Sequence, residues 1–321
     1  MEFDLIARIR ARAATRGDVV LGIGDDAAVL AVPVGMQLVV AMDTLNAGVH
    51  FPQDTAAADI GHKALAVNLS DLAAMGAAPA WCTLSLSLPQ ADAVWLDAFL
   101  DGFLALADAH GVALVGGDTT RGPLSVCVAV HGFAEPGRAL RRDGAQVGDD
   151  VWVSGTLGDA AAGLSIALAV RAAQVEDGDA ATLRTRLDRP TPRVALGRAL
   201  VGIAHACIDV SDGLLADGAH IARASGVALG IDVDALPAST ALRMQVDDVE
   251  ARRQLQASGG DDYELCFTAP VQARDALQSA ARVARVPVTR IGRVAQGQGV
   301  VAHDASGAPW MPPRVGYRHF D

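Results

Sequence analysis

The sequence predicts an α/β protein, in the broad sense that includes α+β, with two domains. Its 321 residues are too many for one small core and fit two domains of ordinary size. Segments with the alternation of β-strands are followed by segments with helical spacing in both halves, which is typical of α/β folds. Of all residues 51% are apolar, enough to bury a substantial core. We predict an N-terminal domain over 1–137, a linker over 138–150 and a C-terminal domain over 151–321.

In the N-terminal half, apolar positions at period 2 predict strands and those near period 3.6 predict helices. The long helix predicted at 55–75 can be capped by Thr55 at its start and by Gly76 at its end. At 81–88 apolar residues alternate with Thr and Ser, which predicts a half-buried strand. The other predicted elements are a helix at 3–14, strands at 27–30 and 36–42, a helix at 92–110, and strands at 112–115 and 124–133.

The C-terminal half also alternates strands with helices, after a segment rich in Gly, Arg and Asp. A short strand at 151–153 leads into a glycine-containing turn and an alanine-rich helix. The strand at 206–210 breaks at Ser211 into a helix that ends near Gly226. The remaining predicted elements are a helix at 192–205, strands at 227–233 and 265–268, and a helix at 271–285.

Aspartates recur at the ends of the apolar runs, each beside glycine or another small residue. One such motif is more often a simple turn than a binding site, because Asp and Gly are common turn formers. The set is more specific, because ligands of open α/β sheets bind where strands end. Carboxylate oxygens gathered there are suitable ligands for hard divalent cations. The motifs are Gly24-Asp25-Asp26, Asp43-Thr44, Gly116-Gly117-Asp118-Thr119-Thr120, Asp209-Val210-Ser211-Asp212-Gly213 and Gly259-Gly260-Asp261-Asp262.

Three positions allow both a structural and a functional interpretation. Asp71 lies among apolar neighbours in the predicted helix 55–75, and is either a solvated residue or a carboxylate that needs a cation, because burial without a partner is costly. The glycines before Asp118 predict either a hairpin turn or a close backbone approach to phosphate. Ser211 and Asp212 precede a predicted helix, where they form either an N-cap or an anion site.

The charge balance excludes some partners and limits how phosphate can be bound. A formal net charge of −11 argues against a nucleic-acid or anionic-membrane surface, and no apolar run approaches the ~20 residues of a membrane span. Lys63 is the only lysine, and the chain has no G-x-x-x-x-G-K-[ST] loop. Lys63 and His50, taken singly, are typical of surface residues. Arg141-Arg142 is more often a solvated pair, although arginine is then the remaining direct cationic contact to phosphate.

The cysteines indicate a reducing compartment. Cys82, Cys127, Cys207 and Cys266 each lie in an apolar run and form no C-x-x-C pair, which favours buried reduced thiols over a disulfide framework or a zinc site. The acidic N-terminus lacks the apolar stretch of a signal peptide. We therefore predict a cytoplasmic protein.

Longer motifs resemble the thiamine-monophosphate kinase family, and the resemblance runs from the first loop to Gly316-Tyr317. Because these motifs are long and ordered, they are far more specific than a single glycine loop. They are LGIGDDAA at 21–28, DTL at 43–45 with His50-Phe51, KALAVNLSDLAAMG at 63–76, GDTT at 117–120, DVSDGL at 209–214 and SGGDDYEL at 258–265.

The resemblance implies the fold of the aminoimidazole-ribonucleotide-synthetase-like superfamily, with two α/β domains. In that fold an N-terminal mixed sheet with helices dimerises into a barrel-like interface, and a C-terminal α/β domain completes the ATP and substrate sites. The implied activity is ATP-dependent phosphorylation of thiamine phosphate to thiamine diphosphate, the final step of thiamine diphosphate biosynthesis. ATP is the co-substrate, several Mg²⁺ ions are the cofactors, and a homodimer is expected.

The same resemblance implies roles for individual residues. The implied metal ligands are Asp26, Asp43, Asp71, Asp118, Asp209 and Asp212, with the backbone of Met42. The implied ATP contacts are Gly117, Asp118, Arg142 and Ser211. The implied substrate contacts are His50, Asp261 and Tyr317. We expect no general base, because a phosphate monoester with a second pKa of about 6 is mostly dianionic at neutral pH. Direct in-line transfer is therefore the expected reaction.

Two positions depart from the family pattern. Ala41-Met42 stands where the family commonly has Ser-Thr, so one metal shell must rely on backbone or water at Ala41. Asp261 stands where the family commonly has Glu, and its side chain is shorter by one methylene.

Two alternatives to the kinase interpretation remain. One is another ATP-dependent synthetase of the same superfamily; a selenophosphate synthetase would carry a reactive residue near its N-terminus, and no cysteine precedes Cys82. The other is a non-catalytic divalent-cation-binding protein, which would keep the aspartate motifs without needing Arg142 or Ser211.

Overall fold

The chain folds into two compact units in the computed structural model, which describes residues 2–169 and 178–317. Unit 1 comprises the residues up to Leu72 together with Ala77–Gly137. Unit 2 comprises Ala73–Gly76 and the residues from Arg138 onward. Each unit combines helices with a mixed β-sheet, so the α/β fold class predicted from the sequence is confirmed.

Unit 1 is a mixed sheet with helices between its strands. Its elements are α1 (Glu2–Arg12), β1 (Val19–Leu21), β2 (Val29–Leu30), β3 (Gln37–Asn46), α2 (Ala57–Ala74), β4 (Ala78–Leu88), α3 (Ala93–His110), β5 (Ala113–Arg121) and β6 (Ser125–Ala134). The sheet has the order β3-β6-β4-β5. β6 pairs antiparallel with β3 and β4, and β5 pairs parallel with β4. β1 and β2 form a separate antiparallel pair.

The helix α3 illustrates how the sequence sets the limits of an element. The Asp92 carboxylate accepts hydrogen bonds from two backbone N–H groups of the first turn, at 2.9 and 3.0 Å. Gly111 ends the helix in the left-handed conformation, with φ of 63°. Between these ends, Phe99 stacks on Trp95 and on Phe103 with ring centroids 5.4 and 5.8 Å apart. Capping and aromatic packing therefore agree with the helix predicted at 92–110.

Unit 2 is built around a sheet with the order β12-β9-β11-β7-β10-β8. Its elements are β7 (Asp150–Ser154), α4 (Asp159–Ala169), α5 (Asp179–Asp188), α6 (Val194–Leu200), β8 (Ala206–Asp209), α7 (Leu214–Ser225), β9 (Ala228–Asp232), α8 (Thr240–Gln245), α9 (Val249–Ser258), β10 (Leu265–Ala269), α10 (Arg274–Ala284), β11 (Val288–Ala295) and β12 (Gly299–His303). All neighbouring strands are antiparallel except β12 and β9. Across the described parts of both units, no helix combines the length and the apolarity needed to cross a membrane.

Two predicted strand ends are wrong, and both concern the aspartate motifs. β3 does not end at position 42 but continues to Asn46, so Asp43 lies inside a strand. β5 does not end at position 115 but continues through Gly117 to Arg121, so the glycine pair is not a hairpin turn. The physical reason is strand pairing, because β6 stays paired with β3 as far as Asn46 and β4 stays paired with β5 as far as Arg121.

Gly117 is required by the close approach of β4 and β5. Its φ is 152°, and a Cβ built at this position would collide with the carbonyl oxygen of Leu84. A glycine within a strand often marks such an approach. Gly117 therefore has a structural reason that is independent of any ligand, whereas a Cβ on Gly116 would meet only an ordinary contact with Thr83 at 3.8 Å.

The cysteines are free thiols, as the sequence predicts. Cys82, Cys207 and Cys266 are buried, and Cys127 is half-buried. Burial raises the pKa of the Cys82 thiol and raises that of Cys266 to about 12, so both are protonated at neutral pH. Buried protonated thiols of this kind are chemically inert.

The helices α2 and α3 cross where each carries a glycine. A Cβ on Gly61 would collide with the carbonyl oxygen of Phe99, and a Cβ on Gly102 with the carbonyl oxygen of Ala58. The two backbones are therefore in contact at the crossing, with no room for a side chain on either helix.

Replacement of Gly102 by alanine tests this crossing. We expect Gly102→Ala to destabilise the protein by about 1–3 kcal/mol, because the added methyl group forces two backbones apart. Thermal unfolding would measure the change in Tm. Gly17→Ala is the matched control, because a Cβ there meets no atom within 4 Å. Equal Tm values for the two variants would show that the helices do not cross this closely.

Candidate active site

The predicted metal ligands of unit 1 lie on separate elements. Asp26 is exposed in the loop between β1 and β2, and its backbone N–H donates to the Asp25 carboxylate at 2.9 Å. Asp43 is half-buried on β3, Asp71 is half-buried on α2, and Asp118 is exposed on β5. Their positions therefore depend on how the sheet and α2 are arranged.

Asn68 ties β3 to the helix that carries Asp71. The backbone N–H of Asp43 donates to Asn68 Oδ1 at 2.9 Å, and Asn68 Nδ2 donates to the carbonyl oxygen of Ala64 at 2.9 Å. Asn68 is fully buried. Residues three apart lie on the same side of a helix, so Asn68 and Asp71 share one side of α2. Unit 1 therefore holds the backbone of Asp43 against the side of α2 that carries Asp71.

The sheet separates Asp43 from Asp118. Asp43 pairs with Val128 on β6, Val128 with Leu84 on β4, and Leu84 with Gly117 on β5. Three strand spacings of about 4.8 Å amount to roughly 14 Å along the sheet. Asp43 and Asp118 thus lie on the two edge strands, and the sheet does not gather them at one strand end.

His50 lies in a turn whose backbone is hydrogen-bonded to Lys63. The backbone N–H of Asn46 donates to His50 Nδ1 at 2.9 Å, so the neutral ring carries its proton on Nε2. Lys63 Nζ donates to the carbonyl oxygen of His50 at 3.0 Å. Lys63 is only 1% exposed, so the interpretation of Lys63 as a surface residue is wrong. Lys63 lies on α2 among buried residues. Its charge is accommodated there because the ammonium group donates to the carbonyl oxygen of His50, a partner that the sequence does not reveal.

In unit 2 the turn between β8 and α7 is held by the carboxylate of Asp217, a residue that the sequence patterns did not identify as a site residue. Asp217 Oδ2 accepts hydrogen bonds from the backbone N–H groups of Ser211, Asp212 and Gly213, at 2.9, 3.0 and 3.2 Å. The anion-site interpretation of these N–H groups is therefore wrong, because Asp217 already binds them. The sequence feature that could have indicated this role is the position of Asp217 in the first turn of α7, where the helix dipole favours an acidic side chain.

The same turn concentrates negative charge. Burial raises the pKa of Asp217 to about 7, against the lowering effect of the Asp212 N–H, and the charges of Asp209 and Asp212 raise it further. Asp209 is 5% exposed at the end of β8, and Asp212 is half-buried. A cation beside Asp209 and Asp212 would relieve this repulsion.

The donor chemistry fits Mg²⁺ bound together with the phosphate groups of a ligand. Among the residues described, no three His, Cys, Asp or Glu side chains lie close enough together to form a metal cage of their own. Mg²⁺ is usually held by one or two carboxylates, with phosphates and water completing the shell. The carboxylates of Asp209 and Asp212 satisfy that requirement within unit 2, and those of Asp43 and Asp71 within unit 1.

Two predicted substrate residues meet the turn between β8 and α7. The backbone N–H of Asp261 donates to the carbonyl oxygen of Ser211 at 2.8 Å. The backbone N–H of Tyr317 donates to the carbonyl oxygen of Asp212 at 3.0 Å, and the side chain of Tyr317 is 48% exposed. Unit 2 therefore brings Ser211, Asp212, Asp261 and Tyr317 together.

Arg142 lies beside α7. Its carbonyl oxygen accepts a hydrogen bond from Ser225 Oγ at 2.9 Å, and its side chain is exposed. Burial lowers the pKa of His220, and the nearby charges of Arg142 and Arg223 lower it further. The guanidinium thus lies near His220 on α7.

A buried ion-pair network supports the loop that carries Asp261. Glu264 is fully buried and accepts hydrogen bonds from Ser154 Oγ at 2.6 Å, from Arg186 at 2.9 Å and from Arg193 Nε at 2.6 Å. Ser154 Oγ also accepts the backbone N–H of Leu265 at 2.8 Å. The partners come from distant parts of the chain, so no local sequence pattern predicts this network.

Comparisons with known proteins match both units. The family model described as AIR synthase related protein, N-terminal domain, matches residues 24–134. The model described as AIR synthase related protein, C-terminal domain, matches residues 146–305. Together these matches cover most of the chain.

Full-length relatives carry one common name. The thiamine-monophosphate kinase of Salmonella typhimurium is 50% identical over 320 residues, which cover 99% of this chain and 98% of the relative. The thiamine-monophosphate kinase structure from Stenotrophomonas maltophilia K279a has a TM-score of 0.89 and 58% identity, covering 96% of this chain and 98% of that one. The structure of AaThiL complexed with AMPPCP and TMP has a TM-score of 0.80 and 32% identity, covering 99% and 96%.

Replacement of Glu264 tests the network beneath the Asp261 loop. We expect Glu264→Gln to cost about 3 kcal/mol of unfolding free energy, because Arg186 and Arg193 lose a buried counter-charge. Denaturant unfolding would measure the loss. Glu250→Gln is the matched control, because Glu250 is 48% exposed and its pair with Arg253 is expected to contribute less than about 1 kcal/mol. Losses of equal size would contradict a supporting role for the network.

Proposed function

Because this chain belongs to the thiamine-monophosphate kinase family, we propose that it transfers the γ-phosphate of ATP to thiamine phosphate, giving thiamine diphosphate and ADP. The observation that carries this proposal is the 50% identity to a thiamine-monophosphate kinase over 99% of the chain. The relative complexed with AMPPCP and TMP supports the same pair of substrates. The carboxylates and backbone contacts of the site indicate how the chain's own residues would contribute.

The acceptor needs orientation and charge neutralisation rather than deprotonation. A phosphate monoester has a second pKa of about 6, so its oxygen is already a nucleophile at neutral pH. We therefore assign no general base and propose direct in-line transfer. The difficulty is repulsion between two anions, which even at an effective dielectric constant of about 20 amounts to several kcal/mol at contact distance.

Aspartates would hold the Mg²⁺ ions in this proposal. The ligands would be Asp26, Asp43, Asp71 and Asp118 in unit 1 and Asp209 and Asp212 in unit 2, with the backbone of Met42. Bound Mg²⁺ supplies neutralisation of the charge on the two phosphates during transfer. The repulsion that Asp209 and Asp212 exert on Asp217 supports a cation at this turn.

Nucleotide contacts would come from Gly117, Asp118, Arg142 and Ser211. Arg142 is exposed, and a guanidinium can bind two oxygens of one phosphate at once, in a bidentate contact. The backbone N–H of Ser211 is bound to Asp217, so we assign the ATP contact of Ser211 to its side chain. Asp118 would contribute through the metal.

Thiamine phosphate would contact His50, Asp261 and Tyr317. The Nε2–H of His50 would be the group that donates to a phosphate oxygen. The exposed ring of Tyr317 can bind the cationic thiazolium by cation–π attraction, with about 0.5–2 kcal/mol. Asp261 carries a charge that attracts the positive end of the substrate and repels its phosphate.

The active form would be a homodimer that acts in the cytoplasm. β3 is an edge strand, and it exposes Leu38, Val40 and Met42 on one face, with 44%, 56% and 64% of their surface accessible. An exposed apolar edge strand is an aggregation hazard unless another surface covers it. A second copy covering this face fits the dimer that the family resemblance implies. The free thiols support a reducing compartment.

A direct assay tests the proposed activity. Purified protein is incubated with Mg-ATP and thiamine phosphate, and thiamine diphosphate and ADP are separated by chromatography. We expect both products in equal amounts and loss of both in EDTA. Asp212→Asn should lower kcat/KM by about 100-fold, because metal stabilisation of the transferring charge is worth several kcal/mol.

The control for this assay is Asp247→Asn, which removes an exposed carboxylate outside the site and should keep the wild-type rate. If the protein forms no thiamine diphosphate at any Mg²⁺ concentration, the kinase proposal is wrong. Near-wild-type turnover of Asp212→Asn would remove Asp212 from the ligand set.

Light scattering after size-exclusion chromatography tests the dimer. Val40→Lys places a charge in the centre of the exposed face of β3, so we expect the mass of a monomer. Val283→Lys is the matched control, because Val283 is 82% exposed on α10, and it should keep the mass of a dimer. A Val40→Lys variant that still has the mass of a dimer would contradict this interface.

A further inference from the structure

The loop between α9 and β10 holds an unusual backbone conformation. In the described part of the chain, the non-glycine residues in the left-handed region are Asp261 with φ of 69°, Tyr263 with φ of 49°, and Arg285 with φ of 55°. Arg285 ends α10, where this conformation is common. Asp261 and Tyr263 end no helix. Because L-residues avoid this region, the surrounding contacts must hold them there.

Three successive residues of the loop are anchored. The backbone N–H of Asp261 donates to the carbonyl oxygen of Ser211, and that of Tyr263 donates to the carbonyl oxygen of Val210, each at 2.8 Å. Between them, Asp262 is 1% exposed, and its Oδ2 accepts the backbone N–H of Gly158 at 2.8 Å. The two left-handed residues, Asp261 and Tyr263, are thus each fixed by a backbone hydrogen bond, and the buried carboxyl group of Asp262 fixes the residue between them.

This backbone brings the side chain of Tyr263 back to Asp261. Tyr263 Oη donates to Asp261 Oδ1 in a long hydrogen bond of 3.2 Å. Tyr263 is 8% exposed, so its ring is held by packing, while Asp261 is half-buried and keeps part of its surface accessible. The hydroxyl therefore restricts the direction in which the Asp261 carboxylate points.

We propose that Tyr263 is a positioning residue for thiamine phosphate, acting through Asp261 on the amino group of the pyrimidine ring. A carboxylate only accepts hydrogen bonds, and in dianionic thiamine phosphate the amino group is the hydrogen-bond donor. The bond from Tyr263 orients the carboxylate toward that donor. Asp261 is shorter than the glutamate common in the family, so its reach depends more on orientation. This inference rests on the proposed function.

Steady-state kinetics of Tyr263→Phe test the positioning role. We expect the KM for thiamine phosphate to rise about five- to tenfold, which corresponds to the loss of one hydrogen bond of ordinary strength. The kcat and the KM for ATP should stay within twofold, because the phenylalanine keeps the packing. Ser279→Ala removes a hydroxyl hydrogen bond from exposed α10 and should change none of these values. A parallel rise in the KM of ATP would indicate a structural role and overturn the proposal.

A double-mutant cycle tests whether Tyr263 acts through Asp261. Adding Tyr263→Phe to Asp261→Asn should change the affinity for thiamine phosphate no further, as calorimetric titration would measure without turnover. Additive effects would overturn the proposal. An inactive wild type contradicts the proposed function instead, whereas an active wild type with an unchanged KM in Tyr263→Phe contradicts only the positioning role.

A substrate analogue tests the recognised group, even if Tyr263→Phe does not fold. The analogue carries an oxo group in place of the pyrimidine amino group. Wild-type protein should prefer thiamine phosphate over this analogue by about tenfold or more, and Asp261→Asn should lose that preference. Unchanged discrimination in Asp261→Asn would overturn the assignment of Asp261 to the amino group.

Discussion

Three backbone N–H groups converge on the buried carboxylate of Asp217, and the turn between β8 and α7 depends on that contact. Because Asp217 occupies these donors, the turn cannot bind phosphate with its backbone. It presents carboxylates instead, with Asp209 on the strand side and Asp212 on the helix side. Burial of a third carboxylate beside two others has an electrostatic cost, visible in the raised pKa of Asp217. A cation held by Asp209 and Asp212, as we propose, would lower the repulsive part of that cost.

The rest of the unit 2 site is assembled on this turn by backbone hydrogen bonds. Its carbonyl oxygens accept hydrogen bonds from the N–H groups of Asp261, Tyr263 and Tyr317, so the backbone of the residues that we propose for substrate binding is fixed relative to the carboxylates. Glu264, which accepts hydrogen bonds from Arg186 and Arg193, anchors the chain at the end of the Asp261 loop. Backbone contacts of this kind hold side-chain positions firmly while leaving the side chains available for ligands.

Prediction from the sequence was accurate where local periodicity reports burial. The helix at 92–110 and the strand at 81–88 agree with α3 and β4 because capping and alternation are local properties. The strand ends near Asp43 and Gly117 were wrong, since a strand continues as long as its neighbour pairs with it. The patterns also did not predict β11 and β12, which both pair with β9 in the sheet.

The sequence by itself determined the fold class, the family and the residues that carry negative charge, because these depend on composition and on ordered motifs. Only the tertiary structure decided which donors those residues meet. Three hydrogen bonds illustrate this dependence on backbone geometry. They join Lys63 to the carbonyl oxygen of His50, the N–H of Asp43 to Asn68, and the Tyr263 hydroxyl to Asp261. Periodicity records which side of an element faces the core, whereas a hydrogen bond depends on the path of the chain between its two partners.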